Sequence, residues 1–187
     1  MDWLDGAERH PSPNCDARPA GVAVDLLVIH AISLPPGCYA GDYVQQLFTN
    51  RLPAAGHPYF AQIHRLRVSA HLYIRRAGQV IQFVPFGQRA WHAGESAWQG
   101  RTMCNDFSIG IELEGSDADP FTAAQYAALQ SATRTIRAAF PAILKTRIVG
   151  HADIAAGRKT DPGPQFDWPR YLASLDAGSA TEEWCGA

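Results

Sequence analysis

Two histidines and an aspartate stand where a protein can do metal chemistry. The run VAVDLLVIH, Val22 to His30, is apolar and β-branched and closes on a histidine. RIVGH, Arg147 to His151, is a second short run that delivers one. Ten residues on, within RKTDPG, Asp161 lies against Pro162 and Gly163. Two imidazoles and one carboxylate form a three-donor set that leaves the fourth position of a tetrahedral zinc site open, the arrangement of catalytic zinc. Iron or cobalt could take the same donors. Neither fact decides the matter, because Asp-Pro-Gly makes a turn whatever else it does, and a histidine at a strand end also serves as a hydrogen-bonded core residue.

Hydrolytic chemistry at such a site also needs a base, and one strand offers two glutamates. DFSIGIELEG, Asp106 to Gly115, alternates strictly, with Phe107, Ile109, Ile111 and Leu113 on one face and Ser108, Gly110, Glu112 and Glu114 on the other. Either glutamate could act as a base, and alternation alone does not choose between them. Gly110 on that face leaves room for a close approach.

The elements that must carry these groups follow from periodicity and punctuation. Val22–His30 reads as a buried central strand stopped by Pro35, Pro36 and Gly37. Asp42 to Asn50 suits a short helix, and Val68 to Phe86 is a hairpin turning at Ala77-Gly78. Thr122 to Phe140 has helical spacing, a Thr122/Gln125 capping box and a stop at Pro141. Asp167 caps a last helix with Pro169 in its first turn. Arg51 to Leu66 is too irregular to assign. With no repeat or linker, the chain reads as one α/β domain, residues 1–187, whose mixed central β-sheet is flanked by helices. Residues 1–21 form an N-terminal arm and 176–187 a loose tail.

Composition narrows the function. A chain of 187 residues, nearly half hydrophobic, can bury a core unaided. Its formal charge of −2, with no basic block, argues against nucleic-acid or membrane-surface partners. No apolar run approaches a membrane span, and the acidic start MDWLDGAERH lacks a secretory h-region. Cys15, Cys38, Cys104 and Cys185 are scattered and read as free thiols of a reducing cytoplasm.

Eight stretches occur in order from Pro11 to Trp168: PSPN, LLVIHAISLPPG, HPYF, LRVSAH, RAWHAG, CNDFSIGIELEG, GHADIA and RKTDPGPQFDW. In these the chain resembles the zinc amidases that include phage amidase-type lysozymes and peptidoglycan-recognition proteins, and within them the cytoplasmic anhydromuramyl-peptide amidases. The resemblance implies an amidase-like α/β fold. It further implies Zn2+ on His30, His151 and Asp161, Glu112 as general base and then acid, and Lys159 as a donor to the developing oxyanion. The substrate it implies is an anhydromuramyl peptide, cut between the lactyl group and L-alanine inside the cell by a monomeric enzyme. Trp91 would line the pocket and Arg67 would bind a stem-peptide carboxylate. His71 and His92 fall in stretches that match non-ligand parts of the family. Two positions depart from the family: Ala31 stands where Asn usually follows the first ligand, which bears on substrate contact, and Met103 stands where some relatives are basic. A muropeptide-binding module without activity is the alternative, but such relatives typically lose a ligand, and all three are here.

Overall fold

The computed structural model describes residues 2–39 and 41–176. Ten strands run in the order β1 (Glu8–Arg9), β2 (Cys15–Ala17), β3 (Leu26–Ile32), β4 (Leu72–Ile74), β5 (Val80–Gln82), β6 (Gln88–Ala90), β7 (Ala97–Trp98), β8 (Arg101–Thr102), β9 (Ser108–Glu114) and β10 (Ile148–Gly150). The helices are α1 (Tyr43–Phe48), α2 (Pro58–Ile63), α3 (Ala123–Ala139), α4 (His151–Ile154) and α5 (Trp168–Ser174). Six strands build one sheet in the order β1-β5-β4-β9-β3-β10. Only β4 and β5 pair antiparallel, as the predicted hairpin, so the sheet is mixed.

Strand parity sorts the side chains into two cores. Leu27, Ile29, Ile109, Ile111 and Leu113 pack against Leu129, Ala132 and Ile136 of α3 and Tyr171 of α5. The opposite face is covered as well, by Val44, Leu47 and Phe48 of α1 with Phe60 and Tyr73, and by Cys104 and Phe107 beneath Leu26 and Val28. Both faces of β9 are therefore packed, and all seven of its residues are buried, the glutamates included. The helix α3 begins as its sequence dictates: Thr122 Oγ1 accepts from Gln125 N, and Gln125 Oε1 accepts from Thr122 N. Such a cap contributes about 1 kcal/mol. Gln125 Nε2 also donates to the Ile74 and Glu114 carbonyls, which ties the helix start to the ends of β4 and β9.

Several expectations need correction. β3 starts at Leu26, because Val22–Asp25 precede it and Asp25 is held by Arg101 and Arg147. It runs on through Ile32, so His30 lies inside the strand; Ala31 and Ile32 still find partners in Leu113 and Glu114. β10 ends at Gly150, and His151 opens α4, where the Asp153 carboxylate accepts from Gly150 N. The segment left unassigned contains α2, whose Pro58 start is capped by the His57 ring accepting from Tyr59 N. The N-terminal arm contributes β1 to the sheet edge and pairs β2 with β6. Of the expected tail, residues 177–187, and with them Cys185, lie outside the described residues.

Candidate metal centre and cleft

The parallel pairing of β3 with β10 brings residues 121 apart in sequence together at one end of the sheet. His30 is almost wholly buried and His151 nearly so. His151 Nε2–H donates to the Ala93 carbonyl at 3.1 Å, so its Nδ1 carries the lone pair of the neutral ring. That lone pair lies 2.9 Å from His30 Nδ1 and 3.1 Å from Asp161 Oδ2, and His30 Nδ1 lies 3.2 Å from the same oxygen. Among the described residues these three side chains are the group that could hold an ion. Donors ~2.0–2.1 Å from a tetrahedral zinc are ~3.3 Å from one another, close to the triangle found here. Buried acceptors facing one another repel, and a cation among them turns that repulsion into coordination. The donor set fits zinc.

Protonation favours the same reading. Burial brings His30 down to about 4, against the pull of Asp161, so the ring is neutral at pH 7. Burial pushes the Asp161 carboxyl up, and the contacts with His151 and His30 more than reverse it, leaving the group well below its ordinary value. A neutral imidazole and an ionised carboxylate are the forms a metal binds.

Asp161 is held by its turn. Gly163 N donates to the Thr160 carbonyl, and Ala152 N to that of Asp161. Gly163 has φ +82°, and a Cβ there would lie 2.5 Å from Asp117 Oδ1, so only glycine fits. Gly150 is constrained by space alone, since its Cβ would meet Pro162 Cδ at 2.9 Å.

Glu112 sits directly across from His30 in the β3–β9 register. Its Oε2 is buried and has no hydrogen-bond partner among the described residues. Burial first, and then the charge of Asp161, raise its carboxyl well above the ordinary value, with Lys159 acting the other way. Glu114 differs: its Oε2 accepts from Arg76 N at 2.8 Å. The structure thus separates two glutamates that alternation could not.

A cleft of about 500 Å3 opens over the centre, walled among others by Ala31, Trp91, Glu112, His151, Lys159 and Asp161. Lys159 is exposed, with no ion pair among the described residues, and the carboxylate of Asp153, six residues before it, accepts from Gly150 N. Arg67 is exposed on an adjoining recess shared with Trp91, His151 and Lys159. Met103 is 58 % exposed, outside the cleft wall. Sequence reasoning missed the part played by His92, Ala93 and Asn105, which touch or anchor the far sides of both histidines. The one signal was Gly110: a Cβ there would lie 2.5 Å from His92 Cγ, so the close approach it permits is that of the His92 ring.

Residues 20–164 match the family described as N-acetylmuramoyl-L-alanine amidase. The chain is 54 % identical over 180 residues to a 1,6-anhydro-N-acetylmuramyl-L-alanine amidase, AmpD, of Salmonella typhimurium, with 96 % of each chain covered. A crystal structure of a selenomethionine AmpD derivative superposes with a TM-score of 0.90 at 53 % identity, covering 92 % of this chain and 96 % of that one. The Escherichia coli amidase AmiD, solved with the substrate anhydro-N-acetylmuramic acid-L-Ala-D-γ-Glu-L-Lys, superposes with a TM-score of 0.60 at 30 % identity, covering 92 % of this chain and 60 % of that one.

Proposed function

The chain belongs to the N-acetylmuramoyl-L-alanine amidase family, and from that premise we propose that it is a zinc amidase of cell-wall recycling. Its reaction is hydrolysis of the amide joining the lactyl group of 1,6-anhydro-N-acetylmuramic acid to L-alanine of a muropeptide. The observation that carries this reading is the Glu112 Oε2 atom, without a partner among the described residues, in the cleft that His151 and Asp161 line where they converge with His30. The substrate class rests on the AmpD relatives and on the AmiD complex. Free thiols at Cys15, Cys38 and Cys104 accord with a reducing cytoplasm as the place of action.

His30, His151 and Asp161 would hold the metal. When bound, zinc supplies Lewis acidity, which activates water at neutral pH and polarises the scissile carbonyl. Glu112 takes the proton of the attacking water and delivers it to the alanine nitrogen as the C–N bond breaks. A carboxylate whose proton affinity is raised by burial can do both. The Lys159 ammonium meets the charge that grows on the carbonyl oxygen, an interaction stronger in the transition state than in the ground state. The Trp91 ring offers an apolar wall to sugar and lactyl carbons. Arg67, in the adjoining recess, would bind a carboxylate of the stem peptide, and the Ala31 side chain offers the substrate no hydrogen bond.

The test is incubation of zinc-replete protein with anhydromuramyl-tripeptide, followed by mass spectrometry. The expected products are intact tripeptide and anhydro-N-acetylmuramic acid. Cleavage inside the peptide, or binding without cleavage, would overturn the proposal.

A further inference from the structure

A histidine presents Nδ1 to a metal only when its proton is kept on Nε2, and His30 lies at the end of a buried chain that imposes this. Ser108 Oγ is 2.6 Å from the Cys104 carbonyl, a group that can only accept, so the hydroxyl proton points there. The hydroxyl oxygen is left to accept from His92 Nε2–H at 3.1 Å. His92 Nδ1 therefore carries a lone pair, which accepts from His30 Nε2–H at 2.9 Å. The polarity runs one way from His30 to Cys104, and it leaves His30 Nδ1 unprotonated on the side of His151 and Asp161. His30, His92, Ser108 and Cys104 are all buried, so water does not compete for these bonds.

His92 is itself fixed. Its ring lies over Gly110, in space that a Cβ would occupy. Asn105 Oδ1 accepts from both His92 N, at 3.1 Å, and Ala93 N, at 2.8 Å. The Ala93 carbonyl takes the Nε2 proton of His151. One dipeptide thus reaches the far nitrogens of both histidines, by a side chain for one and a backbone carbonyl for the other.

We infer that the His92–Ala93 segment, clamped by Asn105, holds both histidines in the tautomer that offers Nδ1 to the metal, with His92 the positioning residue for His30. This rests on the metal site proposed above. Outer partners of this kind typically contribute 10–100-fold to metal affinity.

The test measures zinc affinity, not turnover, by competition with a chromophoric chelator. His92→Phe keeps a ring over Gly110 and removes the acceptor; it should bind zinc about 10–100-fold more weakly than the wild type. His92→Asn restores an acceptor near the Nδ1 position and should regain most of the loss. Equal affinity in wild type and His92→Phe overturns the inference. Should His92→Phe fail to fold, histidine-labelled, zinc-loaded wild type decides by two-bond 1H–15N correlation. A proton on Nε2 of both His30 and His151 supports the inference, and a His30 proton on Nδ1 overturns it. Wild-type protein that binds no zinc refutes the metal reading itself and this inference with it, a result distinct from the others.

Discussion

Replacing Glu112 with glutamine separates what this carboxylate does for the reaction from what it costs the fold. The two side chains are nearly isosteric, and Glu112 is not among the converging donors, so zinc content should not change. Without a carboxylate the attacking water has no base, and kcat should fall about 10²–10⁴-fold, or ~3–5 kcal/mol of barrier. Stability should move the other way. Burial raises the Glu112 carboxyl above its ordinary value of 4.5, so the native state keeps a proton that the unfolded chain has already lost. Stability is then lost as pH rises from 4.5 through the native-state value, and glutamine, which does not ionise, escapes that loss. In metal-free protein the melting temperature of Glu112→Gln should match the wild type near pH 4.5 and exceed it at pH 8. The assays are steady-state release of tripeptide, elemental zinc analysis and calorimetry at the two pH values. A kcat within tenfold of wild type would refute the role of base. A variant less stable than wild type at pH 8 would refute the burial argument.

Lys159→Met should keep its zinc and its KM while kcat falls on the order of 10²–10³-fold, as for a lost oxyanion donor; near-normal kcat would leave Lys159 a surface charge. Ala31→Asn adds a hydrogen-bonding group to the cleft wall and should lower KM roughly threefold to tenfold, about the value of one neutral hydrogen bond. An unchanged KM would show that this wall does not meet the substrate. His71 is buried, accepts from Gly110 N at Nδ1 and donates Nε2–H to the Gln88 carbonyl; burial and then the Arg18 charge bring it down to about 3. The unfolded chain takes up that proton first, so stability is full above pH 6.5 and drains away toward pH 3, with about 2 kcal/mol gone by pH 5. Urea titrations at pH 8 and pH 5 should show a loss smaller by about that amount in His71→Asn, and equal losses in the two proteins would refute the assignment.

What was legible in the sequence was local. The capping box and spacing of α3 depend on residues within one turn of each other, and the alternation of β9 depends on the pleat alone, so both elements are found where the pattern put them. The donor types were legible too, since few residues can ligate a metal. Their convergence was not, because it depends on β3 pairing with β10 across 121 residues. Strand ends were misread for the same reason: Ala31 and Ile32 continue β3 only because β9 provides partners. Glu112 and Glu114 looked alike until Arg76 N, brought in by the β4–β5 turn, took up one of them. His92 sits in a segment with no periodicity, and its part becomes visible only when Ser108, Gly110 and His30 are seen around it.

The zinc-amidase assignment is tested most directly by tripeptide release from anhydromuramyl-tripeptide by chelator-stripped protein, followed as zinc is added back. Turnover should be absent without metal and rise linearly until it breaks at one zinc per chain. In His151→Ala, which lacks one of the three donors, no such rise should appear. Full turnover by the stripped protein, or an unchanged rise in His151→Ala, would contradict the assignment.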